Sequence, residues 1–97
     1  MREKTIEMRL KDYVESVGGM FIKLTGLKGI PDRLMCLPGG LVCFMELKAE
    51  GEAPRPIQLV WLERLKALGF VAVWVDSFDK GKAVVDELMS GKGVRLV

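Results

Sequence analysis

Two apolar runs, "RLMCL" at 33–37 and "LVCFMELK" at 41–48, are separated only by Pro38-Gly39-Gly40, and no other feature narrows the fold as much. Three residues cannot span a crossover. Glycine also supplies the positive φ that a tight reversal needs, so the two runs pair antiparallel as a hairpin. Upstream, "MFIKL" (20–24) reads as a further strand, and the glycines and proline of "TGLKGIPD" mark the loop between it and the hairpin. Ile6, Leu10, Tyr13, Val14 and Val17 recur at helical spacing, which predicts a helix over 3–17 stopped by Gly18-Gly19.

Past the hairpin, "AEGEAPR" leads to Pro56, which suits the first turn of a helix running to Leu68 and ended by Gly69. "FVAVWV" (70–75) is apolar throughout and predicts a strand covered on both faces. Ser77 or Asp79 can cap a last helix to Ser90, closed by Gly91, and "VRLV" offers a further short edge strand. The order αβββαβα predicts an α/β fold. Its sheet is mixed, because a hairpin forces antiparallel neighbours while strand, helix, strand implies a right-handed parallel crossover; helices flank the sheet. At 97 residues one core over 1–97 is expected, burying roughly two-thirds of the surface of the unfolded chain.

Histidine is absent, which removes Ser-His-Asp and Cys-His hydrolases, histidine-based nucleases and ordinary catalytic zinc sites. Acid–base chemistry is left to carboxylates, lysines, Tyr13 or water on a metal. Cys36 and Cys43 lack CxxC spacing and read as buried thiols. The run Leu41 to Met45 is far too short to span a membrane, and "MREKTIEMRLKD" is too charged for a signal peptide, so a cytoplasmic protein with no membrane partner is expected. A net charge of +2 neither requires nor forbids a polyanionic partner.

Alternation along the second hairpin strand puts Val42, Phe44, Glu46 and Lys48 on one face and Leu41, Cys43, Met45 and Leu47 on the other. Across the turn, Asp32 falls opposite Glu46 or Leu47. Two carboxylates brought together repel unless a cation lies between them, and a hard divalent ion such as Mg²⁺ takes oxygen ligands while keeping some of its water. A neighbouring lysine can then orient the attacking water or neutralise a pentacovalent phosphorus. The plainer alternative is a solvated strand end at Glu46 and Lys48 with Asp32 as a turn residue. Glu7 borders the apolar stripe of the first helix, at offsets of three and seven from Leu10 and Val14, where it could simply be a surface charge beside Glu3 and Lys11. Gln58 shares a helix side with Leu62 and Leu65 and can face inward. Lys23, Lys28, Arg33 and Arg55 fall on segments flanking the site, within reach of phosphates, and Trp61 and Trp74 are expected in the core.

Taken together, "IEMRLKDYVESVGG", "GIPDRL", "PGG", "FMELK", "PRPIQ" and "LKALGFVAVWV" resemble, in order, the VRR-NUC domain of the PD-(D/E)xK nuclease superfamily, over residues 6 to about 78. The resemblance implies a restriction-endonuclease-like core and a Mg²⁺- or Mn²⁺-dependent endonuclease hydrolysing DNA phosphodiesters. It makes Asp32 and Glu46 metal ligands, the Leu47 carbonyl a third protein oxygen and Lys48 the catalytic lysine. Glu7 would complete the outer shell, and Gln58 would place the lysine or the water. Small stand-alone members of this phage-type group resemble junction-resolving enzymes, which implies a homodimer acting on branched DNA such as Holliday junctions. A non-catalytic DNA-binding or assembly domain that keeps the nuclease fold is the alternative of another class; a duplex-cutting restriction-type enzyme would differ only in substrate.

Overall fold

The computed structural model describes residues 1–91, so the edge strand expected at "VRLV" lies outside the described residues. The hairpin forms as its short turn requires: β2 (Arg33–Leu37) and β3 (Leu41–Leu47) pair antiparallel, with Leu37 opposite Leu41 and Arg33 opposite Met45. Gly39 and Gly40 turn the chain at φ of 87° and 76°, values that a side chain would strain. β1 (Met20–Lys23) adds antiparallel to β2, and β4 (Val71–Val75) adds parallel to β3 after the crossover helix α2 (Pro56–Ala67). The sheet order is β1-β2-β3-β4, a mixed sheet as expected.

α1 (Glu3–Ser16) and α3 (Phe78–Met89) pack against each other under one face of the sheet. Ile6, Leu10 and Val14 repeat every fourth residue along α1, and Val85 and Leu88 come from α3. They meet Met35, Leu37, Cys43, Met45, Leu47 and Val75 in one continuous cluster. Fully burying each such side chain contributes roughly 1.5–3 kcal/mol, so this face holds most of the apolar stabilisation. α3 begins at Ser77, whose hydroxyl accepts from the Lys80 N–H at 3.1 Å, an N-cap that answers one of the first-turn donors.

α2 lies across the other face, against β4. Apolar and polar residues are interspersed around its circumference; only Gln58 and Leu62 are buried, and Ile57, Leu59 and Val60 are exposed. The expectation that 70–75 forms a strand covered on both faces is therefore corrected. β4 is the last strand in the sheet order, Phe70 precedes it, and Trp74 is 37% exposed rather than in the core. A parallel crossover needs only one helix, and α2 is too short to cover the whole face it crosses. Trp61 is likewise only partly buried, and Cys36 is half-exposed while Cys43 is buried.

Candidate active site

The end of the hairpin furthest from its turn brings Asp32 and Glu46 together. The register that pairs Arg33 with Met45 sets the preceding Asp32 level with Glu46. Two hydrogen bonds fasten them: the Asp32 N–H donates to Glu46 Oε1 at 3.2 Å, and the Leu47 N–H donates to Asp32 Oδ2 at 3.0 Å. A strand residue directs its N–H and C=O towards the same neighbour, so the Leu47 carbonyl is also turned to the Asp32 side. Lys48 N–H points the other way, to Val75 O at 2.9 Å, which holds the strand end between both neighbours.

Glu46 is 1% exposed. Its Oε2 accepts from Gln58 Nε2 at 2.7 Å and lies 3.5 Å from Lys48 Nζ. Gln58 is itself oriented, because its Oε1 accepts the Arg55 N–H at 2.8 Å at the start of α2. Pro56 places that helix start, and the inward glutamine expected from the spacing with Leu62 is found. Burial first, and then the adjacent Asp32 charge, push the Glu46 carboxyl up to about 7, against the opposing pull of Lys48 and of the Asp32 N–H. A carboxylate so placed is unfavourable on its own and calls for positive charge.

The loop that delivers Asp32 is pinned to α2 as well. Trp61 Nε1 donates to the Lys28 carbonyl at 3.0 Å. Gly29, at φ 87°, sits against that ring so closely that a Cβ would fall 2.8 Å from Trp61 Cδ1. Asp32, Glu46 and Trp74 form one row across three strands, since Glu46 is level with Trp74 in the parallel ladder. Trp74 is thus on the same face of the sheet as the buried carboxylate, one strand over, and not in the core.

Two expectations for the site's charged residues are corrected. Arg33 is not a surface cation: it is 4% exposed on the α1 side of the sheet, with Nη2 2.6 Å from Glu7 Oε2. Strand alternation forces this, because Arg33 follows Asp32 and must point to the opposite face. Glu7 is accordingly occupied by Arg33. The α1 acid that feels the site is Glu3, whose carboxyl is raised by burial and by Asp32 while Lys48 and Arg33 draw it down. Glu3 and Glu7 are one helical turn apart on the same side, so periodicity alone does not choose between them. Lys23, Lys28 and Arg55 are exposed, as phosphate contacts would need.

Among the described residues no group of three or more His, Cys, Asp or Glu side chains is gathered closely enough to hold a metal ion by itself. Two carboxylates and one main-chain carbonyl form an all-oxygen set that leaves positions for water or phosphate. That donor set fits a hard ion such as Mg²⁺ or Mn²⁺ and suits neither zinc nor copper.

No family model matches the chain. A protein of Acyrthosiphon pisum secondary endosymbiont phage 1 described as "Putative nuclease p44" is 44% identical over 81 residues, covering 81% of this chain and 87% of the phage protein. A solved "VRR_NUC domain" superposes with a TM-score of 0.80 at 33% identity, covering 87% of this chain and 94% of its own. A second, a "VRR_NUC domain protein", superposes at 0.78 with 17% identity over 93% of this chain and 89% of its own, a likeness of fold.

Proposed function

The chain belongs to the VRR-NUC family of nuclease domains, and on that premise we propose that it is a Mg²⁺- or Mn²⁺-dependent endodeoxyribonuclease selective for branched DNA. The observation that carries this reading is the convergence of Asp32 and Glu46 on each other across β2 and β3, with Lys48 beside them. A divalent ion, when bound, supplies Lewis-acid polarisation of the phosphoryl group and a more acidic attacking water. Asp32, Glu46 and the Leu47 carbonyl would hold it.

Lys48, with its side chain 15% exposed, is sheltered enough for its charge to act at short range yet open to a bound phosphate. It orients the attacking water or offsets charge on the pentacovalent phosphorus. Gln58 fixes the Glu46 carboxylate from α2 through Oε2, the oxygen that also lies beside Lys48, so the carboxylate is already oriented for the ion it would hold. Glu3 adds negative charge at the rim, and Lys23, Lys28 and Arg55 meet the DNA backbone. A homodimer with two sites related by a twofold axis would make paired incisions across a junction, within the cytoplasm.

The test is to incubate the purified protein with four-way junction, flap and linear duplex DNA, with and without Mg²⁺. Metal-dependent cleavage, fastest on the branched substrates, is expected. If the folded protein cuts none of them in the presence of Mg²⁺ or Mn²⁺, the reading fails.

A further inference from the structure

Arg33 is a buried cation with no part in the proposed chemistry, and a core position of this kind ordinarily takes an apolar side chain. Its Nε is buried without a partner among the described residues, which adds to the cost of keeping it there. Its other nitrogens are committed. Nη2 lies 2.6 Å from Glu7 Oε2, Nη1 donates to the Asp32 carbonyl at 2.9 Å, and the guanidinium carbon stands 5.7 Å from the centre of the Phe21 ring. One planar group therefore joins the peptide of a metal-site aspartate to a carboxylate on α1. Lysine, a single point charge, does not form such a fork.

The connection reaches both sides of the site. The Asp32 carbonyl also accepts the Leu24 N–H at 2.8 Å, the Asp32 N–H is spent on Glu46, and the Asp32 carboxylate accepts the Leu47 N–H, so the backbone is held on both sides of the residue and the side chain with it. On α1, Glu7 lies one turn after Glu3, on the same side of the helix. Holding Glu7 fixes the rotation of that helix, and with it the distance of Glu3 from the paired acids.

We propose that Arg33 and Glu7 form a positioning pair for the metal site, acting from the opposite face of the sheet by registering α1 against the Asp32 peptide. The pair touches neither metal nor DNA, and its assignment rests on the metal-site reading above.

The test compares the wild-type protein with Arg33→Lys and with the double variant Glu7→Leu/Arg33→Met, which removes both charges together because exchanging a buried ion pair for apolar residues often leaves a fold stable. Mn²⁺ binding is titrated calorimetrically without DNA, well below each melting temperature, beside kcat and KM on a cleaved substrate. The double variant is expected to bind Mn²⁺ about tenfold or more weakly, the scale seen when outer partners of metal ligands are lost. Arg33→Lys, which keeps the charge opposite Glu7, should fall between the two, and kcat should drop more than KM changes. A folded double variant with wild-type Mn²⁺ affinity overturns the proposal and leaves the pair purely structural. Should that variant not fold, Arg33→Lys decides it: unaltered Mn²⁺ affinity there overturns it equally. Failure of the wild-type protein to bind Mn²⁺ would instead defeat the metal-site reading, and this one with it.

Discussion

The two faces of the sheet are built to opposite ends. Under α1 and α3, Met35, Cys43, Met45 and Leu47 are fully buried among aliphatic side chains, and the one cation buried among the described residues, Arg33, is matched by Glu7. Under α2, the same strands present Asp32, Glu46 and Lys48, and the covering helix contributes a glutamine where a core would have a leucine. Each strand residue serves one face or the other by alternation, so stability and chemistry share a backbone with little sharing of side chains. The difference teaches that the site's charges are tolerable because the opposite face supplies the folding energy they withhold.

The comparison can be broken by substitution on each side. The largest effects are expected on the polar face: Lys48→Ala or Glu46→Gln should lower DNA cleavage about a hundredfold or more, with DNA affinity and fold retained, as measured by single-turnover assays and circular dichroism. Wild-type turnover in either variant would remove that residue from the mechanism. On the apolar face, Met45→Ala, at a side chain with no exposure, should cost about 2–5 kcal/mol in denaturant unfolding while cleavage by the folded fraction changes little. Loss of cleavage out of proportion to unfolding would mean that the two faces are not separable.

A smaller effect sharpens the contrast through pH. The Glu46 carboxyl, ordinarily near 4.5, is held at about 7 in the fold, so the folded protein binds its proton more tightly than the unfolded chain does. Its contribution to stability is therefore fully present below the unfolded value and lost as pH rises through about 7. The metal-free protein should melt progressively lower as pH rises across that window, relative to Glu46→Gln, and added Mg²⁺ should recover the loss at high pH. Parallel melting profiles for the two proteins would show that Glu46 is not under the constraint its surroundings imply.

What was legible in the chain divides along the same line. The Pro38-Gly39-Gly40 turn narrowed the hairpin register to Asp32 opposite Glu46 or Leu47, because a tight reversal leaves little freedom in which residues face each other, and the pairing of Arg33 with Met45 selects Glu46. Periodicity located α1, and the start at Pro56, the cap at Ser77 and the stops at Gly69 and Gly91 located α2 and α3, each to within a residue or so. The side of the sheet on which a charge emerges was harder to read. Arg33 looked like a phosphate contact because it adjoins Asp32, yet adjacency in a strand means opposite faces. Glu3 was indistinguishable from Glu7 until the rotation of α1 was known, and the exposure of Trp74 depended on how far α2 reaches across the sheet. Those are tertiary facts, carried by no local pattern.

One consequence follows from the hairpin. Asp32 and Glu46 stand only fourteen residues apart, so the gap between them is set by a single reversal of the chain and owes little to how remote segments come to rest. Over evolutionary time such a molecule can lengthen, trim or exchange its outer pieces and still pass on a reacting centre of unchanged dimensions.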